Sequence, residues 1–432
     1  MEGGGPPVTV EERLVPAGPG RSGPGRSDSG RPSRFPCFDG LRAMAAVLVV
    51  LLHTSFLSGF TERSPYGIYT SRFDVGVSVF FLISGFLLYR PFAVAHLAGT
   101  GPPSTGRFWV RRLLRILPGY WLAFIVTSYV LHTNTVLPGW RSLLIYLGLV
   151  QIYFGTHAAT GLTQAWTLCT EMSFYLFLPL YAALVAVRRR AGGNQLAWEL
   201  GGVAVLFVVG LGVRFWLLHV HATLAYEGLE WLPACLDLFA LGMLLAVTSS
   251  WLGQRRSAPR WLWHPAVPWA SWAVAGVLLW AVAHIGLSIQ PVAHPAPVLG
   301  LEQQLLYGLF AFFLLVPAVF GPQDRGLVRR VLQWRPVAAL GIVSYGVYLW
   351  HQAWETEFLD WTHRIWHIPF GELAFVVLTL ATVSAAVSYL VVERPALLLK
   401  NRIGWWSRRS RPARAVPPLF ENTPLAEQGA AP

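Results

Sequence analysis

The stretch FDGLRAMAAVLVVLLHTSF, residues 38–56, sets Arg42 and His53 in an otherwise apolar run that is long enough to cross a bilayer as a helix. An ionisable side chain at membrane depth is costly and usually faces a protein interior, a water-filled path or a partner. The two residues lie three turns plus about 20° apart, so they share one helix face, roughly 16 Å apart along the axis. Ala46 and Val49 lie between them on that face. Their small side chains predict a narrow slot, and the stretch predicts a functional site within a membrane-spanning helix.

The composition indicates an integral membrane protein. The chain is 54% hydrophobic and only 12% charged, whereas soluble domains carry about 25% charged residues. The net charge of +12 does not indicate nucleic-acid binding, because the arginines cluster in short loops between apolar runs and are not interleaved with aromatics on a soluble face. The three cysteines form no CxxC pair and no HxxxH or HExxH spacing occurs, so no metal site is predicted.

Apolar windows of spanning length predict the fold class. We expect an all-α polytopic transmembrane helix bundle with about ten crossings. One further stretch, 142–154, is too short to cross comfortably and is predicted to be re-entrant or interfacial. The ten windows are 41–59, 74–92, 108–131, 167–187, 198–219, 233–249, 266–286, 301–320, 337–355 and 371–392.

The distribution of basic residues predicts the orientation. If 142–154 does not cross, 28 of the 33 basic residues lie on or near one face of the membrane. If it crossed, the arginines at 188–190 and every later basic loop would change sides. Because basic loops favour the cytoplasm, we expect a multi-pass protein of the cell membrane with both termini cytoplasmic. The exceptions are Arg63, Arg72, Arg141, Arg214 and Arg364.

The two ends of the chain differ in composition from the apolar middle. Residues 1–36 are rich in Gly, Pro, Ser and Arg, and residues 401–432 are basic and Pro-rich. Such segments bury too little apolar surface to fold alone. We therefore expect two disordered cytoplasmic tails around a single membrane domain at 37–400.

Four arginines, Arg107, Arg111, Arg112 and Arg115, crowd the start of the third predicted helix. They have two interpretations. Arginines at this position orient a helix in the membrane, yet four exceed what orientation requires. The i, i+3 and i, i+4 spacings bring two or three guanidinium groups together, and such a cluster suits a phosphate.

Polar residues in other predicted helices lie at depths similar to that of His53. Ser84 and Gly85 fall near the middle of the second window. Packing explains Gly85, whereas Ser84 is equally compatible with packing and with a hydroxyl in the site. Counting from the outer surface puts Glu171 level with His53, so a carboxylate–imidazole pair is predicted that would make His53 a better base. The alternative is that Glu171 lies in a polar vestibule.

Several stretches together resemble the acyltransferase-3 family of integral membrane O-acyltransferases. The resemblance spans about 38–396, with one departure from the family pattern, Trp-Thr-Leu at 166–168 in place of Trp-Ser-Leu. It implies acyl transfer, with acetyl as the expected group, from acyl-coenzyme A to a hydroxyl of a sugar, glycan or secondary metabolite. No fused hydrolase-like domain is expected. The stretches, in family order, are FDGLRAMAAVLVVLLH, GVSVFFLISGFLL, RRLLRILPGYW, WTLCTEMSFYLFLP, GIVSYGVYLWH and ERP.

The resemblance and the residues together predict roles in that reaction. The arginines, namely Arg42, Arg111, Arg112 and Arg115, would hold the phosphates of acyl-coenzyme A, a co-substrate rather than a permanently bound cofactor. The thioester would lie near His53, which acts either as general base with Glu171 or through an acyl-histidine intermediate. Ser84 or Tyr345 is a candidate donor to the oxyanion or a contact to the acceptor.

A proton-coupled transporter or exporter is the alternative function, because it too would place His, Glu and Arg inside a bundle. No internal repeat is visible in the sequence, and this disfavours the common secondary transporters. Hydrolysis or transfer of labelled acetyl-coenzyme A by isolated membranes distinguishes the two classes.

Overall fold

A computed structural model describes residues 35–189, 194–220, 227–255, 259–290 and 295–402. Most of both predicted tails, together with Arg190 and Arg256, lies outside these ranges. Within them all regular structure is helical, which confirms the all-α class. The ten long helices are α1 (Cys37–Leu57), α2 (Val75–Ala98), α3 (Thr105–Ile125), α4 (Trp166–Arg189), α5 (Gln195–Val220), α6 (Leu232–Gln254), α7 (Val267–His284), α8 (Pro297–Val319), α9 (Arg335–Thr362) and α10 (Phe370–Ser388).

The long helices follow the predicted windows closely. Nine of them are long and apolar enough to cross a membrane, and they correspond to nine of the ten windows. The remaining window, 337–355, lies in α9, which has 28 residues but is not among the nine. This helix carries Ser344, Tyr345, Tyr348 and His351, so its composition is more polar than that of its neighbours. The polytopic bundle is confirmed, and α9 packs against α1 and α10.

The segment around 142–154 does not form a spanning helix. It contains an eight-residue helix, Trp140–Leu147, followed by short turns of 3-10 helix that lead into α4. Eight residues rise only about 12 Å, too little to cross the hydrocarbon core. The prediction of one short, non-crossing helix is confirmed.

Contacts between helix ends establish two poles of the bundle. Gly341, near the start of α9, packs directly against the backbone of Asp39, near the start of α1. A Cβ atom placed on Gly341 would lie only 1.8 Å from the Asp39 carbonyl oxygen. At the other end, Arg63 follows α1 and donates to the carbonyl of Trp366, between α9 and α10, at 2.7 Å. We call the end where α1 begins the N-terminal pole and the other end the opposite pole. Successive long helices run between them in alternating directions.

Small residues permit close packing in the centre. A Cβ on Gly85 of α2 would lie 2.3 Å from the carbonyl oxygen of Phe239 on α6, and one on Gly242 would lie 2.1 Å from the carbonyl of Leu82. The two backbones therefore touch, and the packing interpretation of Gly85 is confirmed. Large apolar side chains are exposed on the outside of the bundle, including Leu180, Leu184, Val208 and Phe375. Such a surface suits lipid.

Candidate functional site

A cavity opens among α1, α2, α3, α4 and α9, with about 840 Å³ of empty space. We call it the charged cavity, because its walls carry ionisable and hydroxyl groups among apolar ones. These groups are Arg42, Ser84, Arg112, Arg115, Thr167, Glu171, Tyr175, Ser344, Tyr345 and Tyr348.

The helical repeat determines which side chains face this space. Val77, Phe80, Ser84 and Leu87 of α2 recur at intervals of three and four, so they project from one face of the helix. On α4, Glu171 and Tyr175 are four residues apart and project together. The Ser84 hydroxyl donates a hydrogen bond to the Glu171 carboxylate, and the Tyr175 hydroxyl donates to its other oxygen at 3.1 Å. The carboxylate is thus fixed on the cavity wall.

The charged cavity is positive overall. Three guanidinium groups and one carboxylate line it, which gives a formal charge of +2. Arg42 also has an acidic neighbour one turn away, Asp39, at 3.5 Å. The Nε atom of Arg112 is buried without a hydrogen-bond partner. A cavity of this kind attracts anions and leaves guanidinium donors available to them.

A second cavity, which we call the pole cavity, adjoins the first at the N-terminal pole. It has about 960 Å³ of empty space, and Leu87, Leu88 and Arg112 line both cavities. Its other walls combine basic groups with proline and aromatic rings, from Pro91, Phe92, Pro102, Pro103, Ser104, Arg107, Phe108 and Arg111. The predicted arginine group is therefore divided: Arg111 faces the pole cavity, Arg115 the charged cavity and Arg112 both.

His53 lies in a different environment, which we call the histidine cluster: His53, His351 and Glu355. The rings of His53 and His351 have their centroids 5.2 Å apart. The Nδ1 atom of His351 lies 2.7 Å from the carbonyl oxygen of Tyr348. The His351 ring also contacts the ring of Tyr348, at 5.7 Å between centroids. Neither histidine lines the charged cavity, but Tyr348 does, so the cluster adjoins the cavity through this tyrosine.

The predicted contact between His53 and Glu171 is wrong. The hydrogen-bond partners of Glu171 are Ser84 and Tyr175, and its nearby cations are Arg42 and Arg115. Depth counting failed because α4 does not begin at the membrane surface. Its preceding turn is already inside the bundle, where the Gln164 side chain donates to the Leu349 carbonyl halfway along α9, at 2.7 Å.

The predicted slot along α1 is also wrong. Ala46 and Val49 are buried, and neither lines the charged cavity, to which α1 contributes Arg42. Because Gly76 has no side chain, α2 approaches α1 closely there. A Cβ on Gly76 would lie 2.5 Å from the carbonyl of Ala45 and 3.1 Å from Val49. The open space lies instead between α2, α3, α4 and α9.

Ser84 and Tyr345 both line the charged cavity, but their hydroxyl protons are engaged. Ser84 donates to Glu171, and Tyr345 donates to the carbonyl of Ile116 at 2.7 Å. As arranged, each oxygen has a lone pair to accept a hydrogen bond but no free proton for an oxyanion. The position of both residues fits a contact to a ligand better than oxyanion stabilisation.

The contact of His53 with His351, and the polar stripe of α9 to which His351 belongs, were not predicted from the sequence. Tyr348, His351 and Glu355 stand at i, i+3 and i+7 on α9, and this spacing puts them on one helix face. That stripe in an otherwise apolar helix was a usable signal. The contact between His351 and α1 left no signal in the sequence, because it depends on how two helices that are far apart in the chain pack against each other.

Comparisons with known proteins agree with this architecture. The profile of the acyltransferase-3 family, described as an acyltransferase domain, matches residues 35–391. The acyltransferase MdmB of Streptomyces mycarofaciens is 27% identical over 403 residues, covering 86% of this chain and 94% of that protein. Nodulation protein 10 of Rhizobium leguminosarum bv. viciae is 25% identical over 401 residues, covering 85% and 94%. No solved structure matches the chain. Since the family profile covers most of its length, this multi-pass protein belongs to the acyltransferase-3 family of membrane acyltransferases.

Proposed function

We propose that the protein transfers an acyl group, acetyl in the first instance, from acyl-coenzyme A to a hydroxyl of a sugar, glycan or secondary metabolite. The observation that carries the proposal is the pair of adjoining cavities, lined by arginines, that begins at the N-terminal pole and includes Tyr348, whose ring contacts His351 beside His53. Coenzyme A joins a phosphate-rich nucleotide to a long, thin arm that ends in the thioester. Its shape and charge match a basic entrance followed by a narrower interior.

The pole cavity suits the nucleotide end of the donor. Arg111 and Arg112 offer bidentate donors to phosphate oxygens, and the rings of Phe108 and Pro103 offer flat apolar surface. The arm then enters the charged cavity between the apolar residues of α2 and α4. Arg42 and Arg115 serve the phosphates nearest to the arm, and Glu171 balances part of their charge.

At the inner end of the charged cavity, the acyl group lies next to Tyr348 and the histidine cluster. An imidazole nitrogen of His53 takes the proton of the acceptor hydroxyl as that oxygen bonds to the thioester carbonyl carbon. The carbon–sulfur bond breaks, and the coenzyme A thiolate takes the proton back from the imidazolium. In the alternative course His53 itself carries the acyl group. Acid-quenched enzyme that retains radiolabelled acetyl without an acceptor would indicate that course.

The central experiment supplies radiolabelled acetyl-coenzyme A to isolated membranes that contain or lack the protein. We expect release of the free thiol and transfer of label to a hydroxyl-bearing product in the first case only. Mass spectrometry of surface glycans and secreted metabolites from a deletion strain identifies the acceptor. Transport of a solute without consumption of acetyl-coenzyme A would contradict the proposal and favour an exporter.

We further propose that the N-terminal pole faces the cytoplasm. Basic side chains are concentrated there, including Arg111, Arg329 and Arg335, and basic segments favour the cytoplasmic side. Cytoplasmic acyl-coenzyme A would then meet the pole cavity directly. A reporter fused after residue 190 should be cytoplasmic and one fused after residue 155 extra-cytoplasmic. The reverse pattern would contradict this orientation.

A further inference from the structure

We propose that His351 is the positioning residue of His53: its Nε2 atom accepts a hydrogen bond from His53 and leaves the other His53 nitrogen free to take a proton. This inference rests on the proposed function. It assigns to α9 a part in the chemistry that His53, on α1, performs directly.

His351 is a neutral imidazole that carries its hydrogen on Nδ1. Its Nδ1 atom lies 2.7 Å from the Tyr348 carbonyl oxygen, which has no proton to give, so Nδ1 must carry the hydrogen. In a neutral imidazole the opposite nitrogen, Nε2, is then an acceptor. A charged ring is disfavoured because His351 is fully buried and its ring neighbours are His53 and Tyr348, neither of them anionic.

The Nε2 atom of His351 lies in an environment that does not satisfy its capacity for a hydrogen bond. This atom is buried and has no hydrogen-bond partner. In a packing role such an atom is destabilising, because it loses its contact with water and gains no partner, so an apolar residue would serve packing better. The Oε1 atom of Glu355, one turn further along α9, is likewise buried and unpartnered. The histidine cluster therefore contains two polar atoms that could each form a further hydrogen bond, and one of them belongs to the ring beside His53.

The imidazole rings of His53 and His351 are in direct contact. Their centroids are 5.2 Å apart and their planes are tilted by 53°. A centroid separation of 5.2 Å allows two ring nitrogens that point toward each other to approach within about 3 Å, the distance of a hydrogen bond, so we infer that the His53 ring turns one nitrogen toward Nε2. That bond selects one tautomer of His53, so its second nitrogen is the base. When His53 accepts the acceptor proton, the same bond stabilises the imidazolium.

The two amide variants of His351 separate the roles of its nitrogens. His351→Gln places an amide oxygen near the position of Nε2 and keeps an acceptor for His53, but it loses the bond to the Tyr348 carbonyl. His351→Asn places an amide nitrogen near Nδ1 and keeps that bond, but it provides no acceptor. Transfer from acetyl-coenzyme A is measured in native membranes, with kcat and the donor KM determined separately, and with His157→Gln as a control at the opposite pole.

We expect His351→Gln to retain at least tenfold more kcat than His351→Asn, with the donor KM unchanged in both. Equal losses, or better activity in the Asn variant, would overturn the proposal and assign His351 a structural tie to Tyr348. A raised donor KM with normal kcat would overturn it too. If the Asn variant does not reach the membrane, His351→Phe replaces it, because it lacks both the acceptor and the bond to Tyr348: a kcat at least tenfold below that of the Gln variant at constant KM supports the proposal, and equal kcat in the two variants overturns it. Wild-type membranes without any acetyl-coenzyme A turnover would instead refute the proposed function itself.

Discussion

The charged cavity and the histidine cluster share two helices, α1 and α9, but are opposite in character. Helix α1 contributes Arg42 to the first and His53 to the second, and α9 contributes Tyr345 and His351. The charged cavity is open and positive, and its carboxylate has two hydrogen-bond donors. In the histidine cluster His351 and Glu355 are buried and His53 is half-buried, and two of its polar atoms have no partner.

This difference assigns different physical tasks to the two regions. An open, positive space with exposed guanidinium groups binds an anionic ligand and tolerates its conformational variety. A largely buried cluster has a lower local dielectric than an open cavity, and in such an environment hydrogen bonds to a developing charge are stronger. Substitutions in the charged cavity should therefore change donor affinity, and substitutions in the histidine cluster should change turnover.

The largest effect is expected for His53→Ala. Without a base, acetyl transfer should fall by about 10²–10⁴-fold, while the donor KM or the affinity for a non-hydrolysable acetyl-coenzyme A analogue stays near normal. His284→Ala, in an exposed position at the opposite pole, is the matched control. If a His53→Ala protein inserts normally and retains full transfer, His53 is a packing residue and the histidine cluster has no catalytic task.

The reverse pattern is expected for Arg111→Ala combined with Arg115→Ala. Each charged contact to a phosphate contributes about 1.5–3 kcal/mol, so the donor KM should rise at least about tenfold while kcat is largely retained. Arg141→Ala, where the guanidinium lies against the Trp140 ring at the opposite pole, should leave the KM unchanged. Unaltered donor affinity in the double variant would reduce these arginines to orienting the helix in the membrane.

The helices could be predicted from the sequence, whereas the contacts between them could not. Apolar windows predicted all ten long helices, because each must satisfy its backbone hydrogen bonds internally in lipid. The same reasoning identified Arg42, Arg112, Arg115 and Glu171, which do share one cavity. It paired Glu171 with His53 because it assumed that every helix starts at the membrane surface.

That assumption fails wherever a segment enters the bundle without crossing it. The turns before α4 end beside the middle of α9, so Glu171 lies deeper than its position in the window suggests. The role of Gly76 was equally invisible, since the close approach of α1 and α2 becomes apparent only when both helices are in place. Helix periodicity within one segment is a local property, whereas depth and partner choice depend on the packing of the whole bundle.

Double-mutant cycles test the corrected pairing. Ser84→Ala and Glu171→Gln alter two ends of one hydrogen bond, so their effects on kcat/KM should be coupled by about 0.5–3 kcal/mol. His53→Gln and Glu171→Gln alter groups with no common hydrogen bond, and their effects should add to within about 0.5 kcal/mol. Strong coupling in the second cycle and none in the first would show that Glu171 pairs with His53, and that the charged cavity and the histidine cluster form one site.

The smallest effect is expected at the opposite pole, in the loop before α6, where Glu230 lies outside the membrane-spanning helices. Burial raises the pKa of Glu230 from 4.5 to about 8, and the neighbouring Glu227 carboxylate adds to the rise. The Glu230 backbone carbonyl accepts a hydrogen bond from Thr170 of α4 at 2.5 Å. This loop therefore joins the helix that carries Glu171, but its own carboxyl takes no part in the proposed chemistry.

The sign of the pH effect follows from the raised pKa. Below pH 4.5 the Glu230 carboxyl is protonated in both the folded and the unfolded chain. Between pH 4.5 and 8 the unfolded chain ionises first, so the contribution of Glu230 to the free energy of unfolding declines as the pH rises through that window. In Glu230→Gln protein, the melting temperature in detergent should therefore depend less on pH than in wild type, with Glu227→Gln intermediate and the donor KM unchanged in both. An identical pH slope in all three proteins would contradict the prediction. A changed donor KM would show that the loop belongs to the site, and the pH profile of transfer would then no longer report on the histidine cluster alone.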